Sequence, residues 1–122
     1  MYVIARNDSE GFVEASLGGR VTLEEMKVFG SELAEICADF RGEPFVVLMD
    51  SSGAQPFDLR TRHLLFAIQD MMLNNGALHV THLLSHDEDV YEWEGLRYER
   101  VRSGLEAYVV STPDYGQLER AA

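Results

Sequence analysis

Four polar residues that follow the longest apolar run of the sequence have the types needed for a binding or catalytic site. They are Asp50, Asp58, Arg60 and His63. Open α/β sheets bind ligands outside the carboxyl ends of their strands, and Asp50 directly follows a predicted strand. Cations near a helix N-terminus oppose the helix dipole, so Arg60 and His63 favour an anionic ligand there. We predict these residues as the candidate polar site; the alternative is that all are solvated surface residues.

Three histidines lie close together in the sequence, at His79, His82 and His86, beside the acids of 87–89. Imidazole and carboxylate suit a divalent metal by ligand type. Side chains alternate along a strand, so His79 and His82 face opposite ways, and His82 and His86 are separated by about 13 Å at 3.3 Å per residue. We therefore expect no metal site, and no rise in melting temperature with equimolar zinc.

The sequence offers no evident nucleophile with a base beside it. Cys37 lies on the predicted buried face of a helix, where a thiol is a small core residue. The chain has no Gly-x-Ser-x-Gly elbow, phosphate loop or dinucleotide fingerprint. We predict that the protein is not an enzyme and needs no cofactor.

The net charge of the chain restricts the classes of molecule that it can bind. The chain has 122 residues, with 10 Lys and Arg against 21 Asp and Glu, for a formal charge of −11. Nucleic acids and anionic membranes need basic patches, so neutral or basic partners are favoured. The apolar runs are too short for a signal peptide or a membrane span. We expect a cytoplasmic protein without stable membrane insertion.

The elements that carry these residues follow from periodicity and capping signals. Thr22 and Glu25 have the spacing of a capping box, Asp58 is a predicted helix N-cap, and Asn74-Asn75-Gly76 is a helix stop. The run 45–49 predicts a central strand buried on both faces, and 50–56 a loop. A last helix is predicted to start at Thr112-Pro113-Asp114. The order β-β-α-β-α-β-α-β-α predicts one domain over 1–122, an α/β fold with a single mixed sheet and covering helices.

The second predicted helix and its approach carry more apolar residues than one buried face requires. The excess residues are Phe57, Leu59, Phe66, Met71 and Leu73. Three explanations remain open: a homodimer interface, the lining of a cavity for an apolar ligand, or cover by neighbouring helices.

The segment 87–102 alternates acids, aromatic residues and arginines. Tyr, Trp and Arg are enriched at binding hot spots, so the segment is either a recognition edge or a solvated connector with one aromatic residue turned inward.

The chain resembles the STAS superfamily, and most closely its SpoIIAA-like, STAS/SEC14-type relatives. The matching pieces are Gly19-Arg20-Val21-Thr22 before the first helix, the strand 46–50 ending in Asp50, Gly95-Leu96 after a short helix, and the strand that leads into Ser111-Thr112-Pro113-Asp114. The resemblance implies a role in protein–protein interaction. In the sigma-regulating members the phosphorylated serine stands where this chain has Leu59, so the resemblance also implies that this phosphoserine is absent. Asp50-Ser51-Ser52-Gly53 repeats the motif in the wrong register.

We therefore predict a non-catalytic binding or regulatory module that acts through protein–protein interaction as a homodimer. The alternative is a carrier or sensor of a small apolar ligand held between helix and sheet. A small hydrolase or isomerase using His63 and Asp58 is the third possibility.

Overall fold

The computed structural model describes residues 1–111. The secondary-structure elements are β1 (Tyr2–Asn7), β2 (Phe12–Gly19), α1 (Leu23–Asp39), β3 (Phe45–Ala54), α2 (Leu59–Asn74), β4 (Ala77–Leu84), α3 (Asp87–Leu96), α4 (Tyr98–Arg102) and β5 (Glu106–Val110). The terminal helix predicted from Thr112 lies outside the described residues.

The five strands form one mixed sheet in the order β1-β2-β3-β4-β5, which confirms the predicted fold class. β1 and β2 form an antiparallel hairpin, and β2, β3, β4 and β5 run parallel. When each right-handed crossover leads to the next strand on the same side, all of the connecting helices lie on one face of the sheet. Val13, Val47 and Val80 face the helices and are buried, whereas Val46, on the other side of β3, is 38% exposed. Within residues 1–111, helices therefore cover one face of β3, and not both faces as predicted.

The helix ends lie where the capping signals place them. The Thr22 hydroxyl accepts from the Glu25 amide at 3.1 Å, and the Asp58 carboxylate accepts from the Thr61 amide at 2.8 Å. α2 ends at Asn74, and Gly76 then adopts a φ of 113°, which glycine alone tolerates well.

Two further segments differ from the sequence predictions. Residues 50–54, predicted as a loop, continue β3, because β2 pairs with Asp50, Gly53 and Ala54, and β4 pairs with Asp50. The segment 87–102, for which a solvated connector was one of two interpretations, forms the helices α3 (Asp87–Leu96) and α4 (Tyr98–Arg102). No helix in the described part of the chain is long and apolar enough to span a membrane.

Candidate functional site

A buried polar network crosses the interface between the sheet and α2. It consists of Ser51 on β3, His82 on β4, Gln69 on α2, and Glu106 and Tyr108 on β5. Strand alternation turns these strand residues toward the helices, and Gln69 shares the inward face of α2 with Leu65 one turn away. Polar groups therefore meet inside an otherwise apolar core.

His82 is the centre of the network and is 0% exposed. Its Nε2 lies 2.7 Å from the Ser51 Oγ, and its Nδ1 lies 2.6 Å from the Gln69 Oε1. The imidazole stacks on Tyr108 at 5.6 Å between ring centroids, and the edge of Trp93 approaches it at 5.1 Å. Both ring nitrogens are thus satisfied and the ring is held on two sides.

A charged cluster closes the outer end of the network. The Glu106 carboxylate, whose side chain is 0% exposed, accepts from Arg97 at 3.0 and 2.7 Å. Arg97 also donates to Asp70, which accepts a further bond from Arg100. The Arg97 guanidinium lies over the Phe66 ring at 5.0 Å. Partial burial raises the pKa of Asp70, but the bonds from the two arginines outweigh it and lower the pKa overall.

Burial sets the protonation state at the centre of the network. Desolvation lowers the pKa of His82 to about 3, so its imidazole is neutral near pH 7. Desolvation and the neighbouring Glu106 carboxylate raise the pKa of Tyr108. Ser51, His82 and Gln69 thus have the spacing of a nucleophile, base and orienting group, but this base is weak and its orienting group is an uncharged amide.

Ser51, which is only 4% exposed, reaches an open cleft at the carboxyl ends of β3 and β4. We call it the Ser51 cleft; its volume is about 310 Å³. It is lined by Ser51, Ala54, Gln55, Pro56, Phe57, Arg62, Leu84, Ser85, His86, Asp89, Glu92 and Trp93. This is the position at which open α/β sheets bind ligands.

The charges around the Ser51 cleft are predominantly negative. Arg62 pairs with Glu92 at 3.1 Å, whereas Asp89, within residues 1–111, has no ion-pair partner. Asp87 and Asp89 both lie in the first turn of α3, where carboxylates offset the positive end of the helix dipole. The cleft is therefore better suited to a cation than to an anion.

The chain is similar over its whole length to a solved structure, an uncharacterized protein from the DUF3478 family of Shewanella loihica PV-4, described as having a SpoIIAA-like fold. The two superpose with a TM-score of 0.64 at 11% sequence identity, and the match covers 100% of this chain and 93% of the other. This chain has a SpoIIAA-like fold. A scan against known protein families and a search of curated proteins found no match.

The SpoIIAA-like fold does not bring the predicted polar site together. Asp50 lies on the opposite side of β3 from Ser51 and accepts from the Ser52 hydroxyl at 2.6 Å. Asp58 caps α2 beside Arg60, and its bond from the Thr61 amide lowers its pKa. His63 is exposed and lines a separate groove on the outer side of α2.

The histidines and the cysteine lie where strand and helix periodicity predict. His79 bonds to Thr81 on the sheet face away from His82, and His86 is the N-cap of α3. Among the described residues no three His, Cys, Asp or Glu side chains are grouped to hold a metal ion. Cys37 is buried, and burial raises its pKa to about 11, as expected for a core thiol.

The apolar excess of α2 is distributed over several neighbours. Phe57 and Phe66 contact Trp93 on α3, with ring centroids 6.1 and 5.3 Å apart, and Met71 lines a surface groove against α1. Leu73 is half-buried, whereas Leu59 is 74% exposed. The homodimer stays a prediction, and a charge at Leu59 tests it by sedimentation velocity without disturbing the core.

The network of Ser51, Gln69, His82 and Glu106 is not predicted by the sequence patterns. One signal was available, because Gln69 lies on the apolar face of α2 and His82 alternates with Val80 and Leu84. A polar residue at a core position needs a polar partner, although the sequence does not say which one.

Proposed function

We propose that this SpoIIAA-like chain is a non-catalytic protein-interaction module that accepts a cationic side chain of its partner, lysine or arginine, in the Ser51 cleft. The observation that carries the proposal is the lining of the cleft, in which Asp89 and Glu92 stand beside Phe57 and Trp93. Two carboxylates face one cation, Arg62, which is already paired with Glu92.

The overall charge supports a basic partner. A chain with a formal charge of −11 attracts cationic surfaces over long range and repels anionic ones. The exposed acids Asp87 and Glu88 lie on α3 next to the cleft and extend the negative surface outward. Such steering speeds association with a basic segment, and the effect weakens as salt is added.

The shape of the cleft suits a long side chain that ends in a charge. Lysine and arginine pack their methylene stems on apolar surface and keep the charged group near polar atoms. Phe57, Pro56 and Leu84 supply the apolar surface, and Ser51 and Asp89 supply oxygen atoms. An aromatic ring beside the cation adds a further favourable contact.

The chemistry of the network supports binding rather than turnover. A general base works best when its pKa is near the operating pH, whereas that of His82 is about 3. This weak basicity favours a fixed recognition group over a nucleophile.

The packing also favours a protein partner over an apolar ligand held between helix and sheet. Met26, Phe29, Leu65 and Met72 each have 0% exposure and fill that space. A carrier of this kind needs an internal cavity, and these side chains occupy its place.

Fluorescence of Trp93, the single tryptophan of the chain, tests the proposal because this residue lines the cleft. We expect saturable quenching by N-acetyl-lysine methylamide with a Kd on the order of 1 mM, and none by the norleucine analogue, which lacks the amine. Asp89→Asn weakens binding about fivefold, whereas Asp87→Asn, in the same helical turn but outside the cleft, changes it less than about twofold. An equal response to both probes, or equal effects of the two variants, contradicts the proposal.

A further inference from the structure

The hydrogen bonds of the buried network have only one consistent set of directions. Arg97 can only donate, and its guanidinium donates to both oxygens of Glu106. The Glu106 carboxylate can only accept hydrogen bonds. It also accepts one from the Gln69 Nε2 at 3.1 Å and one from the Tyr108 hydroxyl at 2.8 Å. The amide nitrogen of Gln69 therefore faces Glu106.

The orientation of the Gln69 amide determines the tautomer of His82. With its nitrogen facing Glu106, Gln69 presents its carbonyl oxygen to His82 Nδ1 at 2.6 Å, so Nδ1 carries the proton. The neutral ring then has a lone pair on Nε2, which accepts from the Ser51 hydroxyl at 2.7 Å. Because a hydroxyl has one proton, Ser51 offers the cleft lone pairs only.

We infer that Gln69 is a positioning residue that makes the Ser51 cleft more selective for cations with N–H donors, and thus for unmodified lysine or arginine over a quaternary ammonium group. The inference rests on the proposed function for its ligand, but the tautomer of His82 can be measured without any ligand. Gln69 itself is 0% exposed and acts only through His82 and Ser51.

Other groups of the cleft act on both kinds of cation, and their contribution does not depend on the tautomer of His82. Aromatic rings attract a quaternary ammonium as well as a primary one, and aromatic sites are a common way of binding methylated lysine. The Asp89 carboxylate attracts both ions by its charge and in addition accepts a hydrogen bond from a primary ammonium. Ser51 is the acceptor whose contribution to selectivity Gln69 controls through His82.

Replacement of Gln69 by methionine, which is unbranched and of similar length, removes the fixed acceptor at His82 Nδ1. A proton left on Nδ1 would then be a buried N–H without a partner, and such groups are rare in proteins. The proton is better placed on Nε2, where it donates to Ser51. The Ser51 hydroxyl then points its proton toward the cleft, and this proton repels an N–H group of the ligand.

Nitrogen-15 NMR of the histidine rings in the unliganded wild-type protein tests the first part. In the wild type we expect His82 to be protonated on Nδ1 and unprotonated on Nε2 from pH 5 to pH 8. In Gln69→Met we expect the proton on Nε2. A wild-type His82 that carries its proton on Nε2 overturns the inference, whether or not the variant folds.

The ratio of the Kd values for N-acetyl-trimethyllysine methylamide and N-acetyl-lysine methylamide tests the second part. We expect a ratio of at least about 5 in the wild type and a ratio lower by at least about twofold in both Gln69→Met and Ser51→Ala. An unchanged ratio in both variants contradicts the inference. Failure of the lysine probe to bind the wild type contradicts the proposed function instead, and the tautomer measurement separates the two cases.

Discussion

The Oγ of Ser51 and the Nε2 of His82 lie 2.7 Å apart on neighbouring strands, although 31 residues separate them in sequence. Parallel pairing of β3 with β4 brings them together, and both point to the covered face of the sheet. This pair joins the buried network to the open cleft. A polar group inside the core can thus influence what the surface binds.

Loss of the buried ion pair between Arg97 and Glu106 should be costly. Arg97→Met leaves the Glu106 carboxylate in the core without its cation, and we expect the free energy of unfolding to fall by about 3–5 kcal/mol. Urea denaturation measures the change. Arg102→Met, which removes an exposed pair with Glu99, is the control and should change stability by less than about 0.5 kcal/mol. Equal losses of unfolding free energy in the two variants would show that the buried ion pair contributes no more to stability than the exposed one.

Stability should rise with pH between 5 and 8 because His82 is neutral in the folded protein. Its pKa is about 3 when folded against 6.5 ordinarily, so the unfolded state binds the extra proton and acid favours unfolding. The stabilising contribution is complete above pH 6.5 and is lost as the pH falls toward 3. We expect a loss of about 2 kcal/mol from pH 8 to pH 5 in urea titrations.

The variant His82→Leu separates this dependence from other titrations. The variant is less stable overall, but the part of the pH dependence of its unfolding free energy that is due to His82 should disappear. Asp58 and Asp70 have pKa values lowered below the usual 3.8, so their contributions change only at more acidic pH. An unchanged slope in the variant would assign the pH dependence to other groups.

Two glycines with nearly the same positive φ should respond differently to replacement by alanine. Gly11 and Gly19 have φ values of 66° and 64°, so alanine is strained at both. A Cβ at Gly11 would lie 2.8 Å from the Pro44 carbonyl oxygen, whereas nothing lies within 4 Å at Gly19. We expect thermal unfolding to show a loss of about 1 kcal/mol for Gly19→Ala and about 3 kcal/mol for Gly11→Ala. Similar losses would mean that the turn at Gly11 relaxes away from Pro44.

Local signals in the sequence were sufficient for most of the fold. Thr22 and Asp58 cap helices, and Gly76 ends one, because these are interactions within a few residues. Residues 50–54 contain serine and glycine and look like a loop, but pairing with strands distant in sequence makes them β3. Their assignment as strand places Ser51 on the buried side of β3.

The candidate site depends on contacts between residues that are far apart in sequence, and spacing along the chain does not predict such contacts. The position of Asp50 after an apolar run predicts it as a site residue, yet the adjacent Ser51 is the residue that faces the cleft. Gln69 and His82 looked like single polar residues among apolar neighbours. Their significance follows from register and helix packing, which bring groups from β3, α2 and β4 within hydrogen-bonding distance.

The most direct test of the cation-binding cleft is amide chemical-shift mapping by two-dimensional NMR during titration with N-acetyl-lysine methylamide. We expect the shifts to concentrate at Ser51, Gln55 and Asp89 and at the indole N–H of Trp93, with much smaller shifts for the norleucine analogue. Shifts centred instead on the separate groove of Leu59 and His63, or equal shifts with both probes, would contradict it.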